Sequence, residues 1–262
     1  IWHARSRPPE TEGEATNRAI QLAHLAGCPL YVVHVTCEEA IEPVARARAA
    51  GWDVTGETCT QYLFIDESYL ERDGFEGAKY VYTPPARPKR HQDRLWRALA
   101  QDTLSVVSTD HCPFNFEGQK TLGRDDFTKI PNGGPGLEDR LKMLHQFGVR
   151  EGRISLNRFV ALTSTNAAKR FGLYPRKGTI AAGSDADLVV FDPAKKETHS
   201  ASTHHSRIDY NLYEGTEVQG GPEVVMVRGT VVVDGDRLVG EPGDGSFLRR
   251  SKAGAAPGVS TG

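Results

Sequence analysis

The sequence predicts an α/β protein with a parallel sheet, followed in its last third by a module of β-strands. Three observations predict this. Over the first two thirds, short β-branched apolar runs alternate with segments of helical spacing. Two of those runs end abruptly in a chemically active side chain, His34 and Asp110, with polar, turn-rich chain behind them. Parallel strands present functional groups in this way at their C-terminal face. From about Lys177 the pattern changes to tight turns and hairpin spacing.

Residues 11–26 predict a helix. Thr11 stands in a capping position with Glu14 three residues on, Ala15, Ala19, Ile20, Leu22 and Ala23 form an apolar stripe, and Gly27 ends it. Residues 30–35 are a continuous apolar run suited to a strand buried on both faces. Residues 38–50 return to helical spacing, with Pro43 leaving the start of that helix open. Residues 52–56 and 79–83 read as short strands, the second stopped by Pro84 and Pro85. Residues 89–101 are helical, with Leu95, Trp96 and Leu99 on the buried side, and 104–109 form the strand that presents Asp110. Residues 114–136 are too long for an ordinary connection, and loops of that length are often functional. Helices over 137–147 and 156–171 follow. Residues 178–193 hold one strong strand among turns, and 224–235 read as a hairpin turning at Gly229. The expected organisation is an α/β domain over 1–176, a β-module over 177–250 and a disordered tail over 251–262.

With 38% hydrophobic and 25% charged residues in 262, the composition is that of a soluble globular protein. A net charge of −2 gives no reason to expect nucleic acid or an anionic membrane as partner. No apolar stretch approaches the roughly 18 residues that span a bilayer. The four cysteines, Cys28, Cys37, Cys59 and Cys112, form no Cys-x-x-Cys pair, which points to free thiols in a reducing, cytoplasmic setting. The chain starts without Met and without a signal-peptide core, so it reads as beginning partway through a larger protein. Trp2, Trp52 and Trp96 are expected in the core, His91 in solvent, and His111 and Cys112 in packing positions.

Several runs carry a resemblance: Leu30-Tyr-Val-Val-His-Val-Thr-Cys37, Gly56-Glu-Thr-Cys59, Thr163-Ser-Thr-Asn-Ala-Ala-Lys169, Gly183-Ser-Asp-Ala-Asp-Leu-Val189 and, narrowest, Gly123-Arg-Asp-Asp-Phe-Thr-Lys-Ile-Pro-Asn-Gly133. From residue 7 to about residue 250 the chain resembles the cyclic amidohydrolases, specifically dihydropyrimidinases and bacterial hydantoinases. Thr60-Gln61-Tyr62 stands where related dihydroorotases and allantoinases tend to carry a His. The resemblance implies the C-terminal part of a TIM-like (β/α)8 amidohydrolase barrel plus a small β-sandwich module. It implies hydrolysis of the cyclic amide of a dihydropyrimidine or hydantoin to an N-carbamoyl amino acid. The implied cofactor is a pair of divalent metals, usually zinc, bridged by a carboxylated lysine and a hydroxide. The implied ligands are a His-x-His pair, that lysine, two further histidines and an aspartate.

His34 matches the second of those two histidines and Asp110 the aspartate. The other four positions are expected before residue 1, since no His-x-His pair occurs in this sequence. The resemblance makes Asp110 both metal ligand and proton shuttle, with an N-cap or turn role as the bland alternative. His34 reads alternatively as a buried histidine satisfied by backbone. Asn132 matches a substrate-contacting Asn and reads equally well as an Asn-Gly turn. Thr83 matches a position that is often Ser, contacting the ring through its backbone or its hydroxyl, and reads equally well as a strand-end Thr. A homotetramer is implied, and this chain alone is expected to be inactive. The rival readings are a non-catalytic dihydropyrimidinase-like assembly protein and an allantoinase or dihydroorotase.

Overall fold

A staggered parallel ladder organises the first part of the molecule. The computed structural model describes residues 1–252 and residue 254. Three strands, β1 (Leu30–Val32), β2 (Val54–Cys59) and β3 (Val106–Ser108), lie in the order β1-β2-β3. Leu30 pairs with Val54 and Val32 with Gly56, whereas Glu57 pairs with Val106 and Cys59 with Ser108. β2 therefore holds β1 along its first half and β3 along its second. That stepped register is the stagger that tilted strands need to curve into a barrel. It also explains why β2 runs beyond the 52–56 expected: only the continuation into Glu57, Thr58 and Cys59 gives β3 a partner.

Helices cover the ladder. They are α1 (Trp2–Arg5), α2 (Pro9–Ala26), α3 (Glu38–Ala49), α4 (Thr60–Phe64) and α5 (Arg90–Ala100). Next come α6 (Arg140–Leu144), continued by a π-type stretch, and α7 (Leu156–Val160), joined through another to α8 (Asn166–Arg170). α2 begins earlier than its sequence signals, with Pro9 in the first turn, where the missing N–H costs nothing. Thr11 does not cap: its hydroxyl donates to Pro8 O at 2.7 Å, and Glu14 pairs with Arg18 instead of closing a capping box. Ile20, Val44, Ala47 and Val54 pack as one small core, and Leu95, Leu99, Leu104, Val107, Met143, Leu144 and Leu162 belong to the main one.

Long cations fasten the N-terminal ends of the strands. Arg170 donates to Leu30 O at 3.2 Å and pairs with Asp53 at 2.6 Å. Arg48 donates to Val54 O, and Arg158 to Leu99 O and Leu104 O at 2.6 and 2.8 Å, while both pair with Asp102. Asn166, inside the Thr163–Lys169 run, donates to Ser105 O at 2.8 Å.

Four expectations are corrected. Residues 79–83 are not a strand, because Val81 O is taken by Lys120 Nζ and Gly133 N instead of a ladder partner. His91 is buried, not solvated; its Nδ1 accepts from Glu38 N. Trp2 is 63% exposed, whereas Trp96 is in the core and Trp52 is half-buried against the His24 ring. β1 ends at Val32, short of residue 35, because the chain turns at His34.

The module is an antiparallel sheet of β4 (Leu188–Thr198), β5 (Glu217–Val227), β6 (Thr230–Asp234) and β7 (Arg237–Leu238), paired in chain order. The strong strand expected among the turns of 178–193 is β4, which starts at Leu188; Lys177 binds Asp185 and Asp187 and holds the chain before it in turns. The β5–β6 turn falls at Arg228 and Gly229, both with positive φ (49° and 84°), as a two-residue hairpin requires. His145 Nδ1 donates to Gln219 O at 2.9 Å, docking β5 on the helical layer. Of the segment expected to be a tail, residues 253 and 255–262 lie outside the described residues, and Ser251 N donates to Gly172 O.

A buried acid joins the two parts. The Asp139 carboxylate, next to α6, accepts from His199 Nδ1 at 2.8 Å and from Asn211 Nδ2 at 3.3 Å. Burial pushes this carboxyl upward, but the His199 and Asn211 bonds outweigh it, and the net shift is below the usual range. A depressed folded-state value stabilises above the unfolded pKa of about 3.9, and that stability is lost as pH falls through the folded value. Asp139→Asn is therefore expected to unfold at lower denaturant than the parent at pH 7. The gap should narrow below about pH 4; a constant gap from pH 7 to 3 would contradict this.

Candidate functional site

The C-terminal edge of the ladder gathers the chemistry. His34 follows β1, Cys59 ends β2 with Thr60 next in the chain, and Asp110 follows β3. β1 and β3 lie two strand spacings apart, roughly 10 Å.

Both residues stand in the left-handed backbone region, His34 at φ 42° and Asp110 at φ 48°. Residues other than Gly rarely occupy it, and such strain of about 1–3 kcal/mol persists only where the surroundings impose it. The surroundings of His34 are specific. Val35 N donates to Glu57 O and Thr58 Oγ1 to Val35 O, both at 2.7 Å, which pins the next residue to β2. Thr36 is locked in turn: Glu12 accepts from its N–H at 2.8 Å and from its hydroxyl, while Arg87 pairs with Glu12 at 2.7 Å and donates to Thr36 Oγ1 at 2.8 Å. With β1 on one side and this latch on the other, the chain must turn at His34.

Asp110 is exposed and sits between two anchors. Thr60 Oγ1 donates to Ser108 O at 3.2 Å, and Cys112 N donates to Gly134 O at 3.2 Å. The second bond needs Gly133, whose φ is 144° and where a Cβ would lie 2.2 Å from Cys112 O. Asn132-Gly133 thus lets the long connection pass directly over the strand end.

Thr83 and Asn132, both exposed, are brought together. Thr83 Oγ1 donates to Asn132 Oδ1 at 2.7 Å, and Asn132 Nδ2 donates to Ile130 O at 3.1 Å. Tyr62 OH donates to Pro84 O at 2.9 Å and His3 Nε2 to Tyr82 O at 2.8 Å, fixing the segment that carries Thr83. His34 and Thr83 line one cleft of about 440 Å³ with Tyr31, Val33, Pro84 and Pro85. Neither Asp110 nor Asn132 lines it.

Cys59, at the end of the middle strand, is a neutral group here. Burial pushes its thiol up, and a thiol held that way is neither nucleophile nor metal ligand at neutral pH. The chemistry available is therefore an imidazole, a solvent-facing carboxylate and an amide–hydroxyl pair. Imidazole and carboxylate are donors suited to zinc. Among the described residues no three His, Cys, Asp or Glu side chains converge on one point.

Sequence reasoning found these four residues and missed those that hold them: Glu12, Thr36, Arg87 and Lys120. The last is fully buried and donates to Val81 O, Pro131 O and Gly133 O. No spacing marks a lysine in a polar loop as buried.

Residues 14–232 match the model of the amidohydrolase family. A D-hydantoinase of Geobacillus stearothermophilus is 57% identical over 255 residues, covering 97% of this chain and 54% of its own length. The solved D-hydantoinase of a Bacillus species superposes with a TM-score of 0.95 at 57% identity, over 96% of this chain and 55% of that one. A solved dihydropyrimidinase of Brevibacillus agri gives 0.95 at 56%, over 98% and 55%. The chain spans about half the length of the relatives it matches.

The strain at the strand ends has a measurable consequence. His34→Gly and Asp110→Gly remove a Cβ from left-handed backbone, and each is expected to raise stability by about 1 kcal/mol, or roughly 2–4 °C in Tm. Thermal unfolding of the two variants checks this; a lowered Tm in both would mean that the backbone there is relaxed.

Proposed function

The chain belongs to the amidohydrolase family, and from that membership we propose that it carries one side of a site that hydrolyses cyclic amides. The observation that carries the reading is the presentation of His34 and Asp110, both in strained backbone, from the strand ends of one parallel ladder. The substrates are hydantoins and dihydropyrimidines, the rings named for its relatives, opened to N-carbamoyl amino acids.

Each residue then has a task. His34, through its imidazole, and Asp110, through one carboxylate oxygen, would hold divalent metal, zinc in this reading. Metal bound there supplies Lewis acidity and lowers the pKa of water towards about 7. The second Asp110 oxygen accepts the proton of the attacking water. As the ring C–N bond breaks, Asp110 returns that proton to the departing ring nitrogen, so the carboxylate ends the cycle unchanged. Thr83 and Asn132 hold the imide edge of the ring. With Asn132 Oδ1 occupied by Thr83 and one amide hydrogen by Ile130 O, the second amide hydrogen serves the ring carbonyl.

The wider assignments follow the same reading. The stepped β1-β2-β3 ladder is an arc of a (β/α)8 barrel, and β4–β7 one layer of a β-sandwich. A carboxylated lysine, a His-x-His pair and one more histidine complete the metal site from chain outside these 262 residues. The four free thiols support a reducing compartment, the cytoplasm. A homo-oligomer, a tetramer, belongs to the same reading.

Two experiments test the reading. Zinc-loaded protein that includes the remaining ligands is expected to convert hydantoin or dihydrouracil to the N-carbamoyl product and to lose this activity on chelation. Asp110→Asn in that protein should lower kcat about 10³-fold with an unchanged fold; an active Asp110→Asn enzyme, or an inert parent, sinks the proposal. The 262-residue chain alone, with two donors of six, is expected to leave both rings intact, and metal-dependent hydrolysis by it would overturn that expectation.

A further inference from the structure

We propose that Lys120 is a positioning residue for ring binding, holding the backbones of Thr83 and Asn132 at a fixed separation. This rests on the reading of Thr83 and Asn132 as the ring-contacting pair. Lys120 is 0% exposed, and its Nζ donates to Val81 O at 2.8 Å and to Pro131 O and Gly133 O, each at 2.7 Å. An ammonium has three hydrogens, and three carbonyl oxygens take them. The acceptors come from two separate segments. Val81 lies two residues before Thr83, while Pro131 and Gly133 flank Asn132 on either side. One cation therefore spans the gap that the Thr83–Asn132 hydrogen bond also spans, and Gly133 N donates to Val81 O at 3.0 Å within the same clamp.

The chemistry suits a lysine. A buried charge is costly, and among the described residues no carboxylate pairs with this one; the Phe114 ring lies 5.8 Å from Nζ. Burial pulls the ammonium down to about 7, and the charged form is the one with a hydrogen for each of the three carbonyls. An apolar side chain would fill the space but take the donor from Pro131 O and Gly133 O and leave Val81 O with Gly133 N alone. A carboxamide has two hydrogens and cannot join all three. The Glu12–Thr36–Arg87 latch fastens the chain after His34 and Thr60 holds Ser108 O before Asp110, neither through Lys120, so loss of Lys120 is expected to act chiefly on ring affinity.

The experiment is steady-state hydrolysis of hydantoin by zinc-loaded protein that includes the remaining metal ligands, with Lys120→Met and Lys120→Gln. KM is expected to rise about tenfold with kcat within about threefold of the parent. Adding Lys120→Gln to Asn132→Ala should raise KM by less than about twofold, because the two act on one contact. If Lys120→Met does not fold, Lys120→Gln decides. Folded variants with the parental KM, or with kcat lowered and KM unchanged, overturn the proposal. Amide exchange at Gly133 is read on the same proteins and should quicken at least about tenfold while the strands stay protected. Should the parent open no ring, the hydrolytic reading fails, and unchanged Gly133 exchange would then overturn the clamp separately.

Discussion

The stepped register of β2 is the constraint on which the site depends. Because its first half pairs with β1 and its second with β3, the three strands leave the ladder at different heights along one edge. Beyond that edge, backbone groups lose their ladder partners and must be satisfied otherwise. Thr58 near the end of the middle strand and Thr60 just after it do this with their hydroxyls, reaching Val35 O on one side and Ser108 O on the other. β2 thus contributes no reactive group of its own and sets the exits of both neighbours.

Buried cations perform the same accounting elsewhere. At the N-terminal ends of the strands Arg48, Arg158 and Arg170 donate to carbonyls and pair with Asp102 or Asp53. Their planar forks join several segments at once, and every charge there has a counter-charge, as a purely structural role favours. At the opposite end Arg87 is paired with Glu12, whereas Lys120 is held by carbonyls. In the barrel proposed above, this division sets stability at one face and chemistry at the other.

The parts of this arrangement legible in the sequence are those with local causes. The alternation of apolar runs and helical spacing gave the order of β1, α3, α5 and β3, and the Arg228-Gly229 turn announced itself through its glycine. The strand-end positions of His34 and Asp110 were visible because a strand's period and its interruption are both local. What stayed hidden depended on distant partners. Residues 79–83 look like a strand, but Val81 O goes to a lysine 39 positions away. His91 lies among charged neighbours in sequence, yet the fold buries it against Glu38 and Glu39. The Glu12–Thr36–Arg87 latch joins three segments, none of which carries a mark of it.

Thr83 shows how a choice left open by sequence closes once partners are known. Its match to a position that is often Ser left two contacts open, by backbone or by hydroxyl. The hydroxyl hydrogen is donated to Asn132 Oδ1, and the Ile130 carbonyl fixes the opposite end of that amide as nitrogen. A serine hydroxyl makes the same donation, so exchange between the two residues preserves the orientation of Asn132. The methyl group of Thr83 then differs only in the space it takes beside the cleft that it shares with His34. In the proposed reading, discrimination between rings at this position is a matter of volume, worth the modest energies of a methyl contact. The imide edge is then met by the Thr83–Asn132 pair, with Asn132 held in one orientation by Thr83 and the Ile130 carbonyl.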